Sequence, residues 1–310
     1  MAISSLYELA APAKINLFLH VVGRRGDGYH LLQSVFALID WADTLHFELR
    51  NDSQLLRHDL GVQLPPDDLC LRAARALQLH SGASIGADIS IDKQVPWGAG
   101  MGGGSSDAAT VLLALNRLWA LHLPLNELMR IGITLGADVP FFLGGRNAFV
   151  EGVGERLTPM ILARQWLAVI KPAASIETRA VFASPLVARD TRPVIIESFL
   201  GSACGSRPGS VKPTLGALRV GNFEGLLGGF GRNDLQNAAQ ALCVEVAQAS
   251  ELLHARFGNS RMTGSGSAVF ARAGSGVHPT AALPAPLAPG WVGRMCRSLE
   301  QHPLLGWAQT

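Results

Sequence analysis

Between Pro96 and Ser106 the chain reads Pro-Trp-Gly-Ala-Gly-Met-Gly-Gly-Gly-Ser-Ser, with five glycines in the seven positions from Gly98 to Gly104. That density lets a backbone take φ > 0 and approach a ligand closely, and several N–H groups can then converge as an anion nest. Directly after it, Ala108, Val111, Leu112, Leu115, Leu118 and Trp119 recur at spacings of one, three or four, which predicts a helix from Asp107 to about Leu118. A helix start adds free N–H groups and the positive end of its dipole. The hydroxyls of Ser105 and Ser106 could donate hydrogen bonds or help hold Mg²⁺. A flexible turn that only caps a helix would account for the glycines. The glycines, serines and strong helix together favour a polyphosphate.

Three familiar phosphate loops do not fit. Gly98, Gly100 and Gly103 match GxGxxG, but Lys93 to Pro96 separate the loop from the strand expected at Asp88–Asp92, and no acid lies near Leu121, as a dinucleotide fold requires. The Walker lysine is absent, and so are the HRD and DFG triplets of protein kinases.

The rest of the chain reads as α+β. Strands are expected at Ile15–Val22, Leu31–Leu38, Asp43–Leu49, Asp88–Asp92 and Trp166–Ile170. Helices are expected at Asp68–Leu79 and Leu125–Leu135, and a helix or helix pair at Asp234–Phe257. Ser175–Leu186 reads as helix or loop, Met262–Ala271 as a Gly/Ser turn running into a strand, and Ala273–Gly290 as a linker. Arg192–Gly231 is rich in Gly, Ser and Pro and carries little pattern. The 310 residues suffice for two cored domains, divided here at 1–164 and 165–310, with the last residues packing back on the first.

Apolar residues at 48% and charged residues at 16% exclude a disordered chain, and a net charge of +2 without a basic stripe argues against a nucleic-acid partner. Cys70, Cys204, Cys243 and Cys296 show no CxxC pair or metal-ligand spacing, which predicts reduced thiols in a cytoplasmic protein. Val111–Leu123 is apolar but interrupted by Asn116, Arg117 and His122, and Glu8 breaks the opening segment, so neither a membrane partner nor a signal peptide is expected.

With these exclusions made, the loop resembles the second motif of the GHMP kinase superfamily, with Met101 where Leu is usual. The extra glycine before the serines and Asp107 after them resemble one branch, whose substrate is a cytidine diphosphate-linked methylerythritol. The same branch opens like Ala11–Leu19 and Gly23–His30, and continues like Gly136–Phe142, Glu151–Glu155 and Arg261–Gly266. The resemblance covers about Ala11 to Phe270 and weakens between Ser184 and Gly231. It implies a two-domain GHMP kinase fold: an N-terminal unit like the second domain of ribosomal protein S5, a C-terminal ferredoxin-like unit, and an active site in the cleft between. It also implies an ATP- and Mg²⁺-dependent kinase acting on a small-molecule alcohol.

The resemblance assigns roles residue by residue. Asp138 matches the catalytic aspartate, which would accept the substrate hydroxyl proton. From the residues alone it could equally be the N-cap of a helix begun by Val139 and Pro140. Lys14 matches the partner lysine, which would stabilise charge on the attacking oxygen. Asn16, Tyr29 and His30 match cytosine-binding residues, Phe182 a second stacking aromatic, and Thr178 a ribose or phosphate contact. Lys93, Leu69 and the loop residues Pro96, Trp97, Gly98, Ala99, Gly100, Met101, Gly102, Gly103, Gly104, Ser105 and Ser106 are expected at the nucleotide. Asp107 is expected either to cap its helix or to sit near Mg²⁺. Gly264, Ser265 and Gly266 would close the back of the site. A different GHMP-type kinase, a Rossmann dehydrogenase and a non-catalytic S5-like module are the competing readings. Tyr29 with His30, the absent acid, and Asp138 respectively weigh against them.

Overall fold

The computed structural model describes residues 3–194, 218–219 and 230–308. Most of the pattern-poor stretch, and Cys204 with it, lies outside the described residues. Among the described residues no helix is long and apolar enough to cross a membrane, and Cys70, Cys243 and Cys296 are free thiols.

Two strands of 20 residues each, β1 (Ser5–Arg24) and β2 (His30–Leu49), pair antiparallel along most of their length. The expected pieces at Ile15–Val22, Leu31–Leu38 and Asp43–Leu49 are therefore parts of one long hairpin. Register breaks absorb the residues that would otherwise end a strand, one of them between Pro12 and Lys14. There the inward alternation changes phase. Leu9 and Ala11 face one core, and Ala13, Ile15 and Leu17 face another.

The free edge of β2 is shared. Its C-terminal half pairs with β4 (Ala87–Asp92) and its N-terminal half with β5 (Ala148–Gly152). β3 (Leu55–Asp59) joins β4, while β6 (Arg156–Ile161) joins β5 and β8 (Leu218–Arg219) joins β6, completing a seven-stranded sheet. A second, four-stranded antiparallel sheet has the order β11 (Val292–Arg297), β7 (Trp166–Lys171), β10 (Val269–Arg272), β9 (Arg261–Met262). Numbered within this unit, the strands run fourth, first, third, second, which is ferredoxin-like order. The second crossover of that fold would lie between β10 and β11. Here it has no helix, in keeping with the Pro/Gly-rich linker read there.

Helices α1 (Leu69–Ser81), α2 (Gly103–Leu118), α3 (Leu125–Leu135) and α4 (Val139–Gly144) cover the first sheet and form one core with Phe36, Leu38, Leu45 and Phe47. A second core joins the two sheets through Ile15, Leu17, Val35 and Ala37 on one side and Leu167, Val169 and Phe270 on the other. The outer face of the second sheet carries α6 (Gln236–Leu242) and α7 (Val244–Phe257), a helix pair divided by the extended backbone of Cys243. The short α5 (Thr178–Ala183) follows β7. Residues after β11 return to the first core, where Leu304 and Ala308 are buried.

Candidate active site

α2 begins at Gly103, four residues before the position expected from its apolar stripe. The glycines therefore divide into two groups. Gly98, Gly100 and Gly102 have φ of 60°, 71° and 70° and shape the loop, whereas Gly103 and Gly104 form the first helical turn. A stripe of apolar residues cannot report a first turn of two glycines and two serines, which has no apolar side chains to pattern.

The loop is braced from two sides. Lys14 N–H of β1 donates to Met101 O at 2.9 Å, and Ser267 and Ala268 N–H donate to Gly98 O and Ala99 O at 3.0 and 3.2 Å. Gly100 and Gly264 meet backbone to backbone: a Cβ on Gly100 would lie 2.4 Å from Thr263 O, and one on Gly264 2.7 Å from Gly100 O. Asn233, which the sequence reading missed, holds this second loop by donating from Nδ2 to Met262 O and Gly264 O at 2.7 and 2.8 Å. A cleft of about 430 Å³ is lined by every residue from Pro96 to Ser105, with Leu69 and Lys93. Ser106 is not among them. It is buried, and its hydroxyl donates to Pro12 O at 2.7 Å. The Ser105 hydroxyl makes no hydrogen bond within the described residues and lines the cleft.

Lys93 reaches this cleft from the end of the approach to the loop. Its ammonium is committed beneath the loop to Asp43 and Asp107, the latter 2.5 Å away. Although burial opposes its charge, Asp107 and Asp43 raise its pKa. Asp107 neither caps α2, which Gly102 does, nor stands free. Burial pushes its carboxyl well above the ordinary range, with Lys93 acting in the opposite direction. Asp43 comes from β2 and accepts Gln94 and Val95 N–H at 2.6 and 2.7 Å, so it fixes the approach to the loop.

A second cleft, of about 270 Å³, is lined by Lys14, Asn16, Asp138, Thr178, Phe182, Gly264 and Ser265, and by Gly100 and Gly102 of the phosphate loop. The alternation along β1 turns Lys14 and Asn16 to the same face. Lys14 is buried, donates to Asn16 Oδ1 at 2.7 Å, lies 4.5 Å over the Phe36 ring and is 3.4 Å from Asp138 Oδ2. Asp138 stands at the N-cap position of α4, yet its side chain makes no capping bond and Pro140 supplies the helical start. The carboxylate is turned toward Lys14 instead.

Asn16 belongs to this cleft and not beside Tyr29 and His30. Its Nδ2 donates to Ser34 Oγ at 2.9 Å and its N–H to Thr263 Oγ1 at 2.8 Å.

A third cleft of about 840 Å³ is lined by Tyr29, His30, Thr178, Phe182, Arg24 and Arg179, and shares Leu32, Val153, Thr178 and Phe182 with the second. The expected pairing of Tyr29 and Phe182 about a base differs in detail. Phe182 stacks on His30, with ring centroids 4.9 Å apart and planes at 26°, while Tyr29 is 66% exposed at the rim. Thr178 and Ser265 share a hydroxyl–hydroxyl hydrogen bond of 2.7 Å. Gly266 packs against Met262 behind the loop. The three clefts thus form a row, joined by Gly100 and Gly102 at one junction and by Thr178 and Phe182 at the other.

The family described as GHMP kinases N terminal domain matches residues 68–146. A 4-diphosphocytidyl-2-C-methyl-D-erythritol kinase from Methylibium petroleiphilum is 59% identical, covering 99% of this chain and all of that one. The Variovorax paradoxus protein of the same name is 55% identical over 98% of this chain and 99% of its own. A crystal structure of 4-(cytidine 5'-diphospho)-2C-methyl-D-erythritol kinase superposes with a TM-score of 0.67 at 35% identity, covering 86% of this chain and 90% of that one. Homoserine kinase from Cytophaga hutchinsonii shares the fold, with a TM-score of 0.65 at 13% identity, over 97% of this chain and 96% of its own. With a braced glycine loop, a paired Lys14 and Asp138 and an aromatic pocket in one row, and with relatives of this identity along their whole length, the chain belongs to the 4-diphosphocytidyl-2-C-methyl-D-erythritol kinase family of GHMP kinases.

Proposed function

We propose that the chain transfers the γ-phosphoryl group of ATP to the 2-hydroxyl of 4-diphosphocytidyl-2-C-methyl-D-erythritol, giving ADP and the 2-phosphate, in the non-mevalonate route to isoprenoid precursors. The observation that carries the reading is the row of clefts, with Lys14 and Asp138 between the glycine loop and the aromatic pocket. A kinase of this type needs one molecule's phosphate end and another's hydroxyl brought to the same carboxylate, because phosphoryl transfer depends mainly on positioning and electrostatics.

In this reading the loop N–H groups and the start of α2 hold the nucleotide phosphates, and Leu69 and Trp97 border its base. A bound Mg²⁺ would supply charge neutralisation at the phosphates. Ser105, with its hydroxyl on the cleft, would hold the ion from the protein side. Asp107 is engaged by Lys93 instead. Asp138 accepts the proton of the attacking hydroxyl, and Lys14 offsets negative charge growing on that oxygen. Asn16 orients Lys14. Tyr29, His30 and Phe182 take the cytosine, and Thr178 with Ser265 lies between base and reacting centre. Residues 1–164 and 165–310 act as two units about this row. The free thiols among the described residues suit a cytoplasmic enzyme.

A coupled ADP-release assay with the cytidyl substrate, mevalonate, homoserine and galactose tests this. Turnover is expected with the cytidyl substrate and near background with the others. Equal or faster turnover of another alcohol would overturn the substrate assignment.

A further inference from the structure

The third cleft is built from elements with no main-chain tie to one another: His30 opens β2, and Phe182 lies in the last turn of α5. One side chain spans both. Arg189 donates from Nη2 to Phe182 O and Ser184 O, each at 2.8 Å, and from Nη1 to Val187 O at 3.2 Å. Its Nε–H points to His30 Nε2 at 3.3 Å.

We infer that Arg189 is a positioning residue for the substrate's base: its planar guanidinium clasps the end of α5 and the His30 ring in one arrangement and fixes which ring nitrogen carries the proton. The inference rests on reading this cleft as the base pocket. Three physical points support it. A six-residue helix is too short to hold itself, and its last carbonyls have no partners within the helix. A cation there satisfies those carbonyls and suits the helix's negative end. Finally, an arginine N–H can only donate, so His30 Nε2 must accept, which leaves the proton of a neutral imidazole on Nδ1.

The ring is held in its neutral form by the same surroundings. Burial lowers the His30 pKa, and the charges of Arg189 and Arg24 lower it further. The ring therefore presents one face to Phe182 and one defined donor nitrogen. A base pocket needs both a π-surface and a donor of fixed sense to tell cytosine, whose ring N3 accepts, from uracil, whose N3–H donates.

Lysine could supply the charge at this position but not the planar fork, so Arg189→Lys separates the two. The test compares Arg189→Met, Arg189→Lys and Tyr29→Ala with wild type by steady-state kinetics in both substrates, melting curves, and ¹⁵N NMR of the His30 ring. In Arg189→Met the KM for the cytidyl substrate is expected to rise roughly 10- to 150-fold, the scale of losing charged hydrogen bonds. The ATP KM and melting point should stay near wild type, and the His30 spectrum should change from the Nδ1–H form to a tautomer mixture. Arg189→Lys should recover only part of the loss. Wild-type kinetics in Arg189→Lys would overturn the clasp, since charge alone would then suffice. A wild-type cytidyl KM in Arg189→Met with a raised one in Tyr29→Ala would overturn the role of Arg189 and leave the base pocket standing. Wild-type values in both variants would overturn the pocket reading and the inference with it.

Discussion

Asp138 occupies the position of a helix cap without acting as one, so its substitution separates chemistry from stability. Asp138→Asn is expected to melt with wild type and to bind ATP normally, while kcat falls by at least ~10²-fold, the usual scale for a lost general base. Stopped assays at saturating substrates, beside a melting curve, check this. A kcat near wild type would remove Asp138 from the proton transfer. The neighbouring glycines are equally separable. Gly102 has φ 70°, and a Cβ there would lie 3.0 Å from Phe142 and 3.3 Å from the Lys14 Cε. Gly102→Ala should therefore cost ~1–2 kcal/mol from backbone strain alone and displace Lys14. Gly104 is helical, and its Cβ would meet only Leu69 at 3.4 Å, so Gly104→Ala should be neutral or stabilising by up to about 1 kcal/mol. Urea denaturation of both variants decides. The sequence marks all of these residues, but not which glycine bends the chain. Nor does it show whether Asp138 faces its own helix or Lys14, because that depends on a strand far away along the chain.

At the scale of elements, α2 rests on a buried cluster that sequence reading reached only in part. Lys93 and Asp107 lie near the loop in the chain and are easily singled out. Asp43 sits midway along β2, and nothing local announces that it reaches Lys93. The same limit explains β3 and β11, edge strands too short and mixed to pattern. It also explains Arg189, whose partners are main-chain carbonyls and one imidazole. The cluster has a pH signature. The native Asp107 carboxyl is raised above its unfolded value of 3.8. Above that pH the native state keeps a proton that the unfolded chain releases, so stability falls as pH rises toward the native value. The slope is at most about 1.4 kcal/mol per pH unit. Asp107→Asn cannot titrate and should lose that decline. Denaturant midpoints of both proteins from pH 5 to 8 test this, and parallel curves would show that Asp107 carries no shifted proton.

For the whole molecule, the general plan was legible: mixed strands and helices, and the motifs that meet in the clefts. What periodicity could not show is that β1 and β2 serve both cores, since their phase change needs a register break visible only when partner strands are known. The closing residues add a further acid response. His302 is buried, its Nδ1 accepts Leu304 N–H at 3.0 Å, and burial lowers its pKa to about 4 from 6.5. Between those values the unfolded chain binds the proton and the native state does not. The stabilisation is thus complete above about 6.5 and lost as pH falls to about 4, by up to roughly 3 kcal/mol. His302→Asn keeps an acceptor for Leu304 and should flatten this part of the pH–stability curve; an unchanged acid limb would argue against it. The position of this segment also bears on birth order. Leu299 N–H donates to Leu38 O and His302 N–H to Gly145 O, both at 2.8 Å, and Leu304 sits among side chains of the first half. On a ribosome adding ~5–20 residues per second, these contacts follow β5 by roughly eight to thirty seconds. The nascent first half must wait that long with an apolar seam open. Stalling translation just before Ser298 should leave it prone to chaperone capture and proteolysis, and release through Ala308 should end that exposure.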